Sequence, residues 1–228
     1  MRRLVITGTG TEIGKTIVSA AIAALAKAAG QRVAVVKAAQ TGIEPGDEPD
    51  VEVVRRLSGV DDVHELVRYP APLAPASAAR IAGITPTPLA ELAKRCEAIT
   101  GRDLVLVEGA GGLLVRFDDE GNTIADLATA IQAEVLVVAP AGLGTLNSTA
   151  LTCLELQRRR LACTGVVIGA WPTNPDLASR TNLDDLPAYA NAPLLGAMPE
   201  ASGALDAMTF LETARAGLSP ALGGSRVG

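Results

Sequence analysis

The segment Gly8-Thr9-Gly10-Thr11-Glu12-Ile13-Gly14-Lys15-Thr16 joins a short apolar run, Arg3–Thr7, to an Ala-rich periodic stretch, Gly14–Ala29. A glycine-rich turn between a buried strand and a helix aims several backbone N–H groups at one point, and the positive pole of the helix adds to them. Lys15 can then reach the terminal phosphates of a nucleotide, and the Thr16 hydroxyl can ligate Mg²⁺. The spacing departs from the strict phosphate-loop pattern. Counting back from Gly14, that pattern wants glycine at position 9, where Thr9 stands; Gly8 lies one residue earlier. A plain strand–helix turn containing Gly and Lys is the alternative. It does not account for strand, Gly-Thr-Gly-Thr, Gly-Lys-Thr and helix occurring together and in that order.

Further β-branched runs at Arg32–Lys37, Asp103–Glu108, Glu134–Ala139, Thr164–Ile168 and Pro193–Ala197 read as strands buried on both faces. Helical patterns at Pro88–Ile99 and Leu146–Arg160 lie between them. Such alternation implies an α/β fold: a doubly wound, mostly parallel sheet of the P-loop NTPase type. Ligands of such sheets bind beyond the carboxyl ends of the strands. The segments that follow the strands, Lys37–Gly42, Glu108–Gly112, Pro140–Asn147 and Gly169–Asn174, are therefore where function is expected. Thr41–Ala82, rich in Pro and charge, reads as an excursion over that face. Residues 1–217 are expected to form one domain and residues 218–228 a flexible tail.

A net charge of −5 gives no basic footprint for nucleic acid. No apolar run approaches the roughly 18 residues of a membrane span. The three cysteines, Cys96, Cys153 and Cys163, are odd in number and widely spaced, which points to buried thiols in a reducing cytoplasm and not to a disulfide framework. His64, the single histidine, sits among Asp61, Asp62 and Glu65 and reads as a surface residue.

Mg²⁺ on a nucleotide needs further hard oxygen ligands. Glu108 ends the strand Leu104-Val105-Leu106-Val107 and is followed by Gly109-Ala110-Gly111-Gly112, which allow close ligand approach. A carboxylate there faces the phosphates like the acid of a Walker B strand. Asp47, Glu48 and Asp50 form a second acidic group, among which sequence chemistry does not choose. Lys37, at the end of the second strand, stands where it can neutralise charge on a transferring phosphoryl group or on an anionic intermediate.

Taken together these residues resemble the dethiobiotin synthetase family from about Leu4 to Pro199. The motifs that carry the resemblance are the long phosphate loop Gly8 to Thr16, Lys37-Ala38-Ala39-Gln40-Thr41-Gly42, Val107 to Gly112, Leu143-Gly144-Thr145-Leu146-Asn147, and Pro193 to Gly196. The resemblance implies an ATP-dependent ligase of biotin synthesis. Diaminopelargonate and CO₂ form a carbamate, ATP phosphorylates it, and the second amine closes the cyclic urea. It implies Mg²⁺ on Thr16, Asp50 and Glu108, with Lys37 and Lys15 stabilising the reacting anions. The nucleotide would lie along Glu12, Ile13, Gly14, Lys15, Thr16 and Ile17, with Asp50, Glu108, Gly109, Ala110 and Gly111, then Gly169 and Ala170, and Ala197, Met198 and Pro199. Thr11, Lys37, Thr41 and Gly111 would contact the substrate's amino end. In the family's homodimer, Leu143, Gly144 and Asn147 of one subunit would hold the substrate carboxylate of the other.

This chain departs from the family pattern at Gly10, where Asp is frequent; at Gly169, where Asn reads the adenine; and at Gly142, where Lys is frequent. Loss of a base-reading side chain predicts weak nucleobase selectivity. Three other readings compete. A cobyrinate-type amidoligase would need an appended glutaminase domain. A chromosome- or septum-positioning ATPase would carry an extra lysine early in the loop. A P-loop protein that only binds nucleotide would show no diamine-dependent turnover.

Overall fold

A computed structural model of the chain describes residues 1–44 and 46–226. The elements run β1 (Arg2–Gly8), α1 (Lys15–Ala28), β2 (Val33–Lys37), β3 (Gln40–Thr41), α2 (Asp50–Ser58), β4 (Val63–Glu65), β5 (Arg68–Tyr69), α3 (Pro75–Ile81), α4 (Leu89–Glu97), β6 (Leu104–Glu108), α5 (Ile124–Ala130), β7 (Glu134–Ala139), α6 (Thr145–Arg158), β8 (Cys163–Trp171), α7 (Leu177–Ala190), β9 (Leu194–Pro199) and α8 (Ala207–Gly217).

Seven strands form one sheet in the order β4-β2-β6-β1-β7-β8-β9, every pair parallel. The chain steps from β1 outward to β2 and β4, returns through β6, and crosses β1 to continue through β7. The carboxyl end of β1 is thus the switch point at which such sheets open a crevice. The expected strands are all present. Short edge strand β4, inside the excursion, and the two-stranded β3–β5 ribbon, which begins at Gln40 just before that excursion, are additions.

Apolar residues on alternating sides of each strand feed two cores. Val5, Val105, Val107 and Val137 pack against Leu92, Cys96, Leu127 and Leu156 of α4, α5 and α6. Leu4, Ile6, Leu106 and Val35 pack against α1, α2 and α8 through Ile22, Leu25, Val54, Leu57 and Phe210. Helix α1 lies between the sheet and those two helices, which is why Ala20, Ala21, Ala23, Ala24 and Ala26 are all buried. Small side chains let a helix covered on every side come close to its neighbours.

The excursion is more regular than its composition suggests. It contains α2, whose apolar face Val51, Val54 and Leu57 is buried, and it supplies the β4 edge of the main sheet. The segment after α8 also differs from the expected flexible tail. Leu218 is fully buried and pairs with Gly196, the Ser219 N–H donates to the Leu195 carbonyl at 2.9 Å, and Leu222 enters the α1 core. Its apolar positions cover the free edge of β9, a driving force that its Gly/Ser content hides. Residues 227–228 of that segment lie outside the described residues.

Candidate active site

The phosphate loop leaves β1 at Gly8 and enters α1 at Lys15. Glu12 (φ 57) and Gly14 (φ 91) both adopt left-handed backbone, a curl that turns successive N–H groups inward into an anion nest. Gly14 cannot be replaced, because a Cβ there would lie 2.3 Å from the Gly169 carbonyl oxygen. Lys15 is 7% exposed, and its ammonium bends back over the loop to donate to the Gly10 carbonyl at 2.7 Å. Burial holds Lys15 below its ordinary pKa, offset in part by the charge of Glu108.

At the end of β6, Glu108 is 2% exposed. Its Oε1 accepts from Thr16 Oγ1 at 2.9 Å and from Lys37 Nζ at 2.7 Å. Its Oε2 accepts from Ser19 Oγ at 2.7 Å. That hydroxyl also lies 3.0 Å from the Lys15 carbonyl. Its single proton goes to the ionised carboxylate, the stronger acceptor. Thr16 and Ser19 are three residues apart on α1 and so share a helix face. Sequence reasoning missed Ser19, although its spacing from Thr16 was the available signal.

Register brings Lys37 and Glu108 together, since they are paired residues of β2 and β6. Lys37 Nζ also lies 2.5 Å from Asp50 Oδ2 and 3.4 Å from the Gly109 carbonyl. Burial pulls the Lys37 pKa down, but Glu108 and Asp50 outweigh it and hold the group above its ordinary value. The structure also selects among the three acids of the excursion. Asp47 turns to the Glu44 N–H and Glu48 to Arg56, while Asp50 alone faces the cleft.

These side chains line a cleft of about 290 Å³ with Thr11, Glu12, Ile13, Gly14, Lys15, Thr16, Thr41, Ala110 and Gly111. Ala39 and Gln40, which lie in the Lys37–Gly42 segment but were given no role of their own, also line it, as does Ile43 just beyond that segment. Other expected residues stand around it. Gly109 lies behind Glu108 against Ile124. Ile17 packs on the α1 core. Gly169 touches the phosphate loop, Ala170 is exposed next to it, and Ala197 and Pro199 line a separate hollow with Trp171. Met198 is fully buried and lines neither that hollow nor the cleft. Leu143 is 93% exposed just before α6, with Gly144 and Asn147 also exposed, and none of the three lines the cleft.

His64 lies on edge strand β4, hydrogen-bonded to Asp62, and the cysteines are unpaired. Among the described residues no three His, Cys, Asp or Glu side chains converge as a metal cage. A nucleotide-bound Mg²⁺ does not need one: one or two carboxylates suffice, with phosphate oxygens and water completing the shell. The hard-oxygen set Thr16, Asp50 and Glu108 fits that requirement.

The AAA domain family model matches residues 2–207. A curated relative from Parafrankia sp., ATP-dependent dethiobiotin synthetase BioD, is 57% identical across 99% of this chain and 95% of its own length. Another of the same name, from Saccharopolyspora erythraea, is 59% identical across 98% of each. The chain belongs to the dethiobiotin synthetase family. Among solved structures, the MinC:MinD cell division protein complex of Aquifex aeolicus superposes with a TM-score of 0.57 at 15% identity, covering 94% of this chain and 95% of that one. At that identity the likeness to a septum-positioning ATPase is one of fold alone. Among the described residues no helix is long and apolar enough to cross a membrane.

Proposed function

We propose that the chain is an ATP-dependent dethiobiotin synthetase that uses Lys37 and Lys15 as its principal catalytic cations. The observation that carries this reading is the convergence of Lys37, Glu108, Asp50 and Thr16 beside the phosphate loop in one cleft. One amine of 7,8-diaminopelargonate attacks CO₂, loses a proton and becomes a carbamate. A carbamate oxygen attacks the γ-phosphorus of ATP, and ADP leaves. The second amine attacks the carbonyl carbon, and phosphate departs as the ring closes.

Carbamate and triphosphate repel each other, so the protein's task is to hold two anions in contact. Lys37, a fixed cation in the cleft, offsets charge on the carbamate. Lys15, which rests on the Gly10 carbonyl, would turn to the transferring phosphoryl group. Thr11, Thr41 and Gly111 line the side of the cleft where the diamine would lie. Mg²⁺, held by Thr16, Asp50 and Glu108, would neutralise the phosphate oxygens. No side-chain nucleophile is required.

The working form is a homodimer acting in the cytoplasm. Exposed Leu151 and Leu154 on α6, with Leu143 in the loop before it, give an apolar face for a second copy. Leu143, Gly144 and Asn147 would then bind the carboxylate of substrate lying in the partner's cleft. Nucleobase selectivity is weak: with Gly169 against the loop, phosphates supply most of the binding.

The test is phosphate release from MgATP with bicarbonate, with and without diaminopelargonate, and mass spectrometry of the product. Diamine-dependent release with the cyclic urea is the expected result. Equal release without diamine would remove the substrate roles of Thr41, Gly144 and Asn147.

A further inference from the structure

Asp50 is gripped twice by one short segment. Lys37 closes β2, and Gln40 opens β3 three residues later. Lys37 Nζ meets the Asp50 carboxylate at 2.5 Å, and the Asp50 backbone N–H donates to Gln40 Oε1 at 3.2 Å. Gln40 is itself anchored. It is 4% exposed, and its N–H donates to the Val67 carbonyl at 2.9 Å.

Helix α2 has no cap of its own making. Pro49 occupies the N-cap and offers no side-chain acceptor. The amides of Glu52 and Val53 both return to the Pro49 carbonyl. The first-turn donor at Asp50 is therefore satisfied from outside the helix, one of the few ways an orphan N–H at a helix start is met. Val54 and Leu57 hold the body of α2 in the core under α1. Apolar packing of that kind fixes the helix axis and reaches the first turn through Val51, while Asp50 beside it is held by polar contacts.

We propose that Gln40 is a positioning residue: an out-of-sequence cap that sets the first turn of α2 so that Asp50 meets Lys37 in the cleft. The proposal rests on the reading of Asp50 as part of the catalytic constellation. It also gives the Lys37-Ala38-Ala39-Gln40 segment a single task, presenting a cation to the Asp50 side chain and an acceptor to its main chain.

The test is amide hydrogen exchange of the full chain, with steady-state kinetics on the same samples. Gln40→Met keeps length and bulk without an acceptor, and Gln40→Glu keeps the acceptor. In Gln40→Met, exchange at Asp50 is expected to speed up by about 2- to 10-fold, the range for losing one net hydrogen bond, while residues 54–58 stay as in the parent. The MgATP concentration for half-maximal turnover rises by a similar factor, with a smaller change in kcat. Gln40→Glu restores the slow exchange at Asp50. If Gln40→Met does not fold, Gln40→Asn, too short to reach Asp50, takes its place with the same expectation. Parental exchange at Asp50 in these variants overturns the proposal, and so does faster exchange with an unchanged MgATP dependence. Asp50→Asn keeps the backbone donor. Parental turnover in that variant removes Asp50 from the machinery, while the exchange result still judges the grip of Gln40.

Discussion

Gly169, at the end of β8, rests directly on the phosphate loop at Gly14: a Cβ on Gly14 would lie 2.3 Å from the Gly169 carbonyl oxygen, and one on Gly169 would lie 1.9 Å from the Ile13 carbonyl oxygen. Two backbones in van der Waals contact leave no room for a base-reading side chain at that point.

Nucleotide discrimination is therefore expected to be shallow. CTP, GTP and ATP at equal concentration should compete to within about tenfold, a difference of roughly 1.4 kcal/mol. Gly169→Asn is expected to weaken all three together by displacing the loop. A strong ATP preference in the parent, or one created by Gly169→Asn, contradicts this.

Lys37→Ala is expected to bind nucleotide and lose turnover by roughly 100-fold or more, the scale for removing a preorganised group that stabilises developing charge. It also strips the Glu108 carboxylate of its buried cation, so unfolding free energy should fall by about 3 kcal/mol or more. Calorimetric nucleotide titration, phosphate release and urea denaturation measure the three effects separately. Activity at the parental level removes Lys37 from the mechanism.

Ser19→Ala leaves Glu108 Oε2 buried without its hydroxyl donor, and stability should drop by about 1–3 kcal/mol. Ser19→Cys, nearly isosteric with a weak donor, should lie between the two. Identical denaturation midpoints for all three proteins mean that Ser19 does not hold the carboxylate.

If active sites are shared across a dimer, Lys37→Ala and Asn147→Ala damage different subunits' contributions to one site. Mixing the two inactive proteins under exchange conditions should restore on the order of a quarter of parental turnover, because random pairing leaves one intact site in half of the dimers. Leu151→Glu should shift the sedimentation profile to monomer and prevent that recovery. No recovery from a mixture shown to form hybrids removes the shared site.

Burial pushes the Cys96 thiol up to about 11. An acid whose folded pKa is raised keeps its proton while the unfolded chain loses it. Stability therefore falls as pH rises above the ordinary thiol value of about 8.5, and levels off near the folded value. Cys96→Ala should flatten that alkaline slope. In native protein near pH 8, half-buried Cys163, whose pKa is lowered by its contact with Cys153, should be alkylated before Cys96. Equal labelling of the two would show that Cys96 is not sealed in the core.

Local sequence determined the frame. Strands buried on both faces need runs such as Leu104 to Val107. A phosphate-binding turn needs Gly14 followed by Lys15 and Thr16. Both signals lie within a few residues, so the fold class and the loop could be read from the chain directly. Helices α3, α5, α7 and α8 and the packing of residues 218–226 were not read, because their apolar faces acquire meaning only against the strands they cover.

Tertiary structure alone decided how the site is assembled. Asp47, Glu48 and Asp50 are chemically alike in sequence. They were separated by where α2 points its first turn, with two of them consumed by local partners and one delivered to Lys37. Sheet register set Lys37 beside Glu108, helix spacing turned Ser19 toward the same carboxylate, and the close approach of β8 closed the space at Gly169. Each of these depends on distances between segments far apart in the chain, and only packing the two cores against the sheet fixes those distances.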